Sequence, residues 1–421
     1  MSSKPKSVFL SAILGNILEY YDFTVYSVFA GIIGYNFFPN ESEFLQTLAS
    51  LGAFAVGFIT RPIGGILFGY IGDKYGRRVS LIISMLGMTI PTFIIGLIPS
   101  YDSIGLKAPF ILILMRLIQG LCISGEGAGA AIFILEHHQN LRPGFTAGLV
   151  HGSNIAGTLI ATFIGILIES YFPDVDFAWR YAFLFGGFMG LVGFYLRLKV
   201  SETPIFQMLA EKKKKLNTPF IYVLKTARRP MFITFCVAMV ASSVLYLVKT
   251  YVNIYYHNIM GADNTTSLIY LSYASFIAMV SMPLFGGAAD IFGKFKMIVI
   301  ASLAIIILSL PTLILMSSSH FWLQMLSLTC LGILGGGISG SAYIFIISLF
   351  TAEQKFSGVA FSYNLGIAMF GGTSPIISRW LVEKTKLFYA PSFYIITTAT
   401  IFLIVIYLMK DSIKNLLKDN R

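Results

Sequence analysis

Apolar residues lie along this chain in long blocks, and each block has the length that a helix needs to cross a lipid bilayer. Blocks of roughly 20 predominantly apolar residues recur from end to end, which matches a hydrocarbon core about 30 Å thick. The blocks are longer than the strands of a membrane β-barrel and lack their alternation. The pattern therefore predicts membrane-spanning helices.

The pattern predicts twelve spans, six in each half of the chain. The first six cover residues 8–34, 48–72, 80–98, 109–135, 145–169 and 179–198, and the last six cover 231–256, 268–290, 297–316, 321–350, 356–381 and 388–409. We therefore expect an all-α membrane protein with two pseudo-symmetric six-helix bundles, 1–200 and 231–421. A cytoplasmic loop, 201–230, joins them, and the second bundle ends in a short cytoplasmic tail.

Composition and charge agree with this interpretation. The chain is 56% hydrophobic and 12% charged, with a mean hydropathy of +0.78, which excludes an ordinary soluble domain. Most of the 30 Lys and Arg residues lie in the termini and in the loops on their side, so both termini are expected to be cytoplasmic. The net charge of +11 thus reflects topology, and no soluble module offers a basic face to nucleic acid.

Two further interpretations concern basic segments of the chain. The run of lysines at 212–215 is interpreted as a solvated part of the long loop, with contact to anionic lipid headgroups as the alternative. The basic N-terminus precedes a long apolar run that carries Asn16, Glu19 and Asp22, so it is interpreted as a retained first helix rather than a cleaved signal.

A polar motif after the second span recurs in weaker form after the eighth. The first copy comprises Gly69, Asp73, Gly76, Arg77 and Arg78, and the second comprises Gly286, Asp290 and Gly293. The interval between the copies is the same for Asp and for Gly, which indicates a duplicated chain. Duplicated halves are typical of secondary transporters, whose bundles rock about a midplane site. We expect both motifs to hold the bundles together at the cytoplasmic face, the alternative being a tight basic turn.

Several ionisable and polar residues fall within the spans, where a charge costs at least a few kcal/mol. The candidate proton and substrate pathway consists of Glu19, Asp22, Arg116, Glu126, Asn154, Lys249 and Asn364. Asp22 and Glu126 are the candidates for proton binding, and Arg116 for coupling or for recognition of a substrate carboxylate. The alternative is that these groups only neutralise one another between helices. For Arg61 and His151 the structural role is preferred.

Motifs of enzymes and of cofactor sites do not occur in the sequence. It has no Gly-x-Ser-x-Gly, no phosphate-binding Gly-x-x-x-x-Gly-Lys, and no clustered metal ligands. Its three cysteines offer neither a disulfide framework nor a metal site. We therefore expect no catalytic activity, no cofactor and no metal, and a transport step driven by an ion gradient.

The motif ending in Gly76-Arg77-Arg78 resembles the loop signature of the major facilitator superfamily, and Arg116-Leu-Ile-Gln119-Gly120 resembles its motif in the fourth helix. Other features resemble the metabolite:proton symporters of that superfamily: Asn16-x-x-Glu19-x-x-Asp22, Arg61-Pro62-Ile-Gly64-Gly65, Ser-Gly125-Glu126 and Glu202-Thr203-Pro204. The resemblance covers nearly the whole chain. It implies a proton-coupled symporter that imports a small polar metabolite by alternating access.

Within that branch the sequence around Asp22 is most similar to that of proline and glycine betaine transporters, which implies a zwitterionic osmolyte or amino acid as substrate. Relatives of the branch carry organic anions such as 2-oxoglutarate, citrate or shikimate, and this is the first alternative. A non-transporting sensor of the same fold is the second. The chain departs from the osmolyte carriers in ending at Arg421 without a long C-terminal extension and in carrying Lys249. The expected setting is the bacterial inner membrane, with the lipid bilayer as partner and a monomeric state.

Overall fold

The computed structural model describes residues 5–38, 43–137, 142–172, 175–211 and 219–419, and these form helices with short connections. The first half contains α1 (Pro5–Val28), α2 (Ala30–Phe37), α3 (Glu43–Ile59), α4 (Arg61–Lys74), α5 (Arg77–Leu97), α6 (Tyr101–Ile104), α7 (Lys107–His137), α8 (Pro143–Tyr171) and α9 (Trp179–Leu198). Two short helices, α10 (Pro204–Glu211) and α11 (Pro219–Thr226), flank the segment between the halves.

The second half begins with α12 (Arg228–Tyr246), which continues through the π-helical turns Leu247–Tyr251 and Tyr255–Ile259 on either side of α13 (Val252–Ile254). It goes on with α14 (Asn264–Phe292), α15 (Lys294–Met316), α16 (Phe321–Ile347), α17 (Lys355–Gly366), the π-helical turn Ile367–Gly371, α18 (Ser374–Thr385), α19 (Pro391–Leu408) and α20 (Lys410–Asp419).

Nine of the helices that the structure describes are long and apolar enough to cross a membrane. The other three predicted spans are the first, the second and the eleventh. The structure divides them into α1 and α2, α3 and α4, and α17 and α18. At the second break the Thr60 hydroxyl donates to the carbonyl of Leu117 in α7 (3.2 Å), and Pro62 lies in the first turn of α4. The twelve-span, two-bundle architecture is confirmed, with breaks that an apolar pattern does not reveal.

Burial separates central from peripheral helices. In α16, and in the span formed by α12, α13 and the π-helical turns, 89% of the most apolar stretch is buried, compared with 39% in α15 and α19. Large apolar side chains such as Leu284 and Ile307 remain more than 60% exposed, as expected for residues that face lipid tails. α12 and α16 therefore lie in the middle of the second half, where they can line a central site.

The two halves meet through close helix pairs, α4 with α17 and α8 with α14. A Cβ on Gly65 would lie 2.6 Å from the carbonyl oxygen of Ala360, and one on Gly148 would lie 2.4 Å from that of Met282. Only glycine permits these backbones to approach so closely. The lysine run at 212–215 lies outside the described residues, and the limits of the two domains stay a prediction.

Candidate functional site

The first motif contact between the halves is formed by Asp73 and Arg77. Asp73 lies near the end of α4 and accepts a hydrogen bond from the backbone N–H of Ser357 (2.9 Å) in the first turn of α17. Arg77 pairs with Asp73 (3.2 Å) and donates to the carbonyl of Ala352 (3.0 Å), which precedes the same helix. A carboxylate at a helix N-terminus satisfies an unpaired backbone donor and the helix dipole. We call this contact the first junction.

A second layer of polar residues supports the first junction. The Nε of Arg77 lies 3.4 Å from Glu136, which in turn accepts a hydrogen bond from the Thr203 hydroxyl (2.7 Å). Glu202 accepts from the backbone N–H groups of Arg78 (3.1 Å) and Thr203 (2.8 Å), and so caps the start of α5. Burial raises the pKa of the Glu202 carboxyl above its ordinary value, although these two N–H groups oppose the shift.

The second junction repeats the backbone contact. Asp290, near the end of α14, accepts from the backbone N–H groups of Gly144 (2.7 Å) and Phe145 (3.0 Å) in the first turn of α8. Gly286 lets the helices touch, since its Cβ would lie 2.2 Å from the Gly144 carbonyl oxygen. Gly76 and Gly293 occupy matching positions, with φ of 124° and 96°, at the starts of α5 and α15. Gly69 meets the backbone of Ser357 at the first junction.

Glu126 is held in an ion pair with Arg197 inside the first half. Both guanidinium nitrogens of Arg197 donate to the carboxylate, Ser84 donates a third hydrogen bond (2.6 Å), and all three side chains are buried. α1 passes directly over the guanidinium, because a Cβ on Gly15 would lie 1.8 Å from an Arg197 nitrogen. Arg197 was not among the predicted site residues, although an arginine inside the sixth span is a signal for a buried acidic partner.

Asp22 and Arg116 form a second buried group within the first half. The Arg116 guanidinium donates to Gln119 (2.8 Å), and Gln119 donates to the Thr92 hydroxyl (2.8 Å), which also lies beside the Asp22 carboxylate. The rings of Tyr26 and Phe23 cover Arg116 at 4.3 and 4.8 Å. Arg116 is fully buried, and the partners described above all belong to its own half.

A third group of charges lies where the two halves meet. Glu19 is 3% exposed, and neither of its carboxylate oxygens has a hydrogen-bond partner in the described part of the chain. Arg61, Arg197 and Lys249 are cations near it, and Glu126 and Asp22 are the neighbouring carboxylates. Arg61 lies against the rings of Phe58 (4.4 Å) and Phe23 (4.7 Å). Arg61, assigned a structural role from the sequence, thus lies at the boundary between the halves, and we call Glu19, Arg61 and Lys249 the interface charges.

Four tyrosines from both halves surround these charges. The tyrosine cluster consists of Tyr20 of α1, Tyr246 of α12, Tyr343 of α16 and Tyr363 of α17, all buried. The Tyr343 and Tyr363 rings are in edge contact at 5.3 Å, and Tyr246 lies close to Tyr20 and Tyr363. The cluster gives the boundary an aromatic wall with polar hydroxyl tips.

His151, Asn154 and Asn364 complete the boundary. His151 stacks on Tyr343 (4.0 Å between centroids) and its Nδ1 lies 2.9 Å from the Ser339 carbonyl oxygen, as expected of a satisfied interior histidine. Asn364 donates across the boundary to the Ser124 carbonyl (3.2 Å). Asn154 is buried beside Tyr343. Across the described residues, no group of three or more His, Cys, Asp or Glu side chains is arranged to hold a metal ion.

The chain is similar to known proteins along nearly its whole length. The family model of the Major Facilitator Superfamily matches residues 12–375. A putative proline/betaine transporter of Staphylococcus aureus is 31% identical over 97% of this chain and 89% of its own. The glycine betaine/proline/ectoine/pipecolic acid transporter OusA of Dickeya dadantii is 32% identical over 97% and 84%, and the proline/betaine transporter of Escherichia coli is 31% identical over 99% and 85%.

Solved structures share the fold at lower sequence identity. The proton:xylose symporter XylE bound to 6-bromo-6-deoxy-D-glucose aligns with a TM-score of 0.77 at 17% identity, covering 97% of this chain and 96% of the symporter. The inward-open xylose transporter of Escherichia coli aligns with a TM-score of 0.67 at 18% identity, covering 95% and 96%. The protein is therefore a transporter rather than an enzyme, and it belongs to the major facilitator superfamily of multi-pass membrane proteins, in the family of these proline/betaine transporters.

Proposed function

We propose that this protein is a proton-coupled symporter that imports a small zwitterion of the proline or glycine betaine type. The observation that carries the proposal is the set of interface charges, in which the buried Glu19 carboxylate accepts no hydrogen bond from the described residues and lies near Arg61 and Lys249 at the boundary between the halves. A zwitterion offers an opposite charge to each sign. The relatives named as proline/betaine transporters support the same substrate class.

Transport in this proposal follows from the two junctions. The halves rock about the interface charges, and the cytoplasmic side opens when Asp73 leaves the N-terminus of α17 and Asp290 leaves that of α8. Both carboxylates bind backbone N–H groups of the opposite half, so both contacts are lost when the halves separate. The two motifs therefore act as a cytoplasmic gate.

Asp22 and Glu126 are the proposed proton-binding residues. Each lies beside a buried arginine, Arg116 and Arg197 respectively, so that proton uptake is coupled to release of a cation. Asn154, Asn364 and Lys249 line the path at the boundary. We further propose that the protein is a monomer of the bacterial inner membrane with both termini in the cytoplasm, and that the domains divide at residues 200 and 231.

The test compares the accumulation of substrate with the exchange of substrate in liposomes that contain the full-length protein. Wild-type protein should accumulate labelled glycine betaine or proline under an inward proton gradient and lose accumulation with a protonophore. Asp22→Asn should abolish accumulation while substrate exchange continues, because exchange needs no net proton movement. Asp102→Asn, which changes an exposed carboxylate, is the matched control and should resemble wild type. Full accumulation in Asp22→Asn would remove this carboxylate from coupling.

An organic anion is the second candidate substrate, and one observation favours it. The interface charges contain two cations, Arg61 and Lys249, against the single carboxylate of Glu19. This excess of cations attracts an anion, although Glu126 and Asp22 lie within electrostatic reach of Glu19 and oppose the attraction. Uptake of labelled 2-oxoglutarate under the same gradient, with no uptake of either zwitterion, would replace the first proposal with this one.

A further inference from the structure

An ammonium group of the protein itself lies in an aromatic setting at the boundary between the halves. The Nζ of Lys249 lies 4.2 Å from the centroid of the Tyr20 ring and 5.7 Å from that of Tyr246. Both distances fall within the range of about 6 Å in which a cation is attracted to an aromatic face. The two rings come from opposite halves, so this subsite exists only where the halves meet.

The position of Lys249 on its helix permits movement of the side chain. It lies within the π-helical turn Leu247–Tyr251, and such turns inside α-helices are frequent at functional sites. Its four-carbon stem is flexible, and the residue is only half-buried, unlike the fully buried Arg116. No ion pair of Lys249 occurs among the residues that the structure describes. The Tyr20 and Tyr246 rings are therefore the contacts of its ammonium group, with Arg61 and Glu19 as the nearby charges.

A second cation, Arg61, lies beside this subsite. Arg61 lies next to the Tyr246 hydroxyl, and its Nε and Nη2 atoms, although buried, have no hydrogen-bond partner within the described ranges. Buried guanidinium donors without partners are costly, so they favour an arriving acceptor such as a carboxylate. The rings of Tyr20 and Tyr246 thus form a cation subsite that Lys249 occupies. Beside it lie the Arg61 donors, which have no hydrogen-bond partner among the described residues and can bind an anion.

We propose that the Lys249 ammonium is a tethered occupant of the Tyr20–Tyr246 subsite, which the substrate's ammonium displaces, and that displaced Lys249 then joins Arg61 in binding the substrate's carboxylate. This inference rests on the proposed zwitterion transport. A cation without a carboxylate adds its charge to those of Lys249 and Arg61, which have Glu19 as their nearby carboxylate, whereas a zwitterion brings a second carboxylate. Lys249 is therefore the residue that selects zwitterions over simple cations.

The experiment is competition against labelled glycine betaine with the full-length protein in liposomes. Choline keeps the trimethylammonium group and lacks the carboxylate, whereas 3,3-dimethylbutyrate keeps the carboxylate and the shape and lacks the cation. In wild type we expect both to compete at least about tenfold more weakly than glycine betaine, because each leaves one charge without a partner. In Lys249→Met the affinity for choline should rise about tenfold and that for glycine betaine should fall.

Two controls separate this role from a simpler one. Lys249→Arg keeps the cation and should keep choline weak. Tyr20→Leu removes the aromatic face and should weaken glycine betaine and choline alike in the Lys249→Met background. If Lys249→Met does not give folded protein by gel filtration and thermal melting, Lys249→Gln takes its place, with the same expected rise for choline.

The outcomes distinguish this inference from the proposed function. If glycine betaine weakens in Lys249→Met while choline affinity does not change, Lys249 is only a carboxylate ligand and the displacement is overturned. If neither affinity changes, Lys249 has no role in selection. If wild-type protein binds no glycine betaine and no proline, the proposed zwitterion function fails and this inference fails with it.

Discussion

The two halves of this transporter share a backbone plan and differ in where they keep charge. Nine Asp, Glu and Arg side chains are buried in the described part of the first half: Glu19, Asp22, Arg61, Asp73, Arg77, Arg116, Glu126, Glu136 and Arg197. In the described part of the second half the buried polar side chains are serines, threonines and Asn364, with no buried Asp, Glu, Lys or Arg. The two duplicated halves therefore share their helices but not their buried charged side chains.

The junctions show the same difference at closer range. Asp73 and Asp290 both accept backbone N–H groups in the first turn of a helix of the opposite half. Asp73 is also held by the buried Arg77, whereas Lys294, four residues after Asp290, is half-exposed. The backbone contact is therefore the part of the proposed gate that both halves keep, and the buried arginine belongs to the first junction.

The largest expected effect comes from breaking the Glu126–Arg197 pair. Arg197→Met leaves a buried carboxylate without its cation and should lower the free energy of unfolding by about 3–5 kcal/mol. The double variant Glu126→Gln with Arg197→Met should recover most of the loss, because no charge remains unpaired. Lys296→Met, an exposed cation of the second half, is the control and should change the free energy of unfolding by less than about 0.5 kcal/mol. Denaturant unfolding in detergent measures all three. Wild-type stability in Arg197→Met would mean that the pair is not a structural element.

Neutralising the two junction carboxylates compares the halves directly. Asp73→Asn removes a charged acceptor from a helix N-terminus and from Arg77, and should lower the free energy of unfolding by about 1.5–3 kcal/mol. Asp290→Asn removes a charged acceptor from a helix N-terminus where the equivalent cation, Lys294, is half-exposed, and should cost about 1 kcal/mol or less. An equal or larger cost for Asp290→Asn would show that the arginine network adds nothing to the first junction.

Replacing Gly76 and Gly293 by alanine should again destabilise the first half more than the second. The difference in the free energy of unfolding should be smaller than for the two carboxylates. Gly76 and Gly293 both have φ in the left-handed region, so either alanine brings backbone strain of about 1 kcal/mol or more. A Cβ at Gly76 would also lie 2.1 Å from the Glu202 carboxylate, whereas a Cβ at Gly293 meets nothing within 4 Å. We expect Gly76→Ala to cost about 1 kcal/mol more in the free energy of unfolding than Gly293→Ala. Equal costs would mean that Glu202 moves aside freely.

The smallest expected effect is a pH dependence of the first junction. Burial raises the pKa of Glu202 in the folded protein, so the folded state holds the proton more tightly than the unfolded state does. The stabilisation is therefore complete below the ordinary carboxyl pKa and is lost as the pH rises through the higher pKa of the folded protein. Glu202→Gln should flatten this part of the stability curve measured between pH 4 and 7. An unchanged slope would assign the pH dependence to other groups.

Much of the fold was predictable because crossing a bilayer imposes length and polarity on every span. The sixth predicted span, 179–198, has the same bounds as α9 (Trp179–Leu198). The breaks near Thr60 and within Ile367–Gly371 were not predicted, because neighbouring helices and side-chain hydroxyls satisfy the backbone there and leave the hydrophobic pattern intact.

The residues of the candidate site were predictable from the sequence, but the ion pairs that they form were not. Glu19, Asp22, Arg116, Glu126 and Lys249 were all identifiable as ionisable groups inside apolar spans. Which cation serves which carboxylate was not, as the pairing of Glu126 with Arg197 across 71 positions shows. The position of Arg61 at the boundary could likewise not be predicted from the hydrophobic pattern.

The sequence by itself determined that this chain spans a membrane, that it is built of two similar halves, and where its buried charges lie along the helices. The cause is local, since apolar length, loop charge and repeated motifs are properties of neighbouring residues. Only the tertiary structure decided which charges neutralise one another and which meet at the boundary of the halves. The reason is that a helix rotation or a glycine contact moves a side chain from one neighbour to another without altering the hydrophobic pattern.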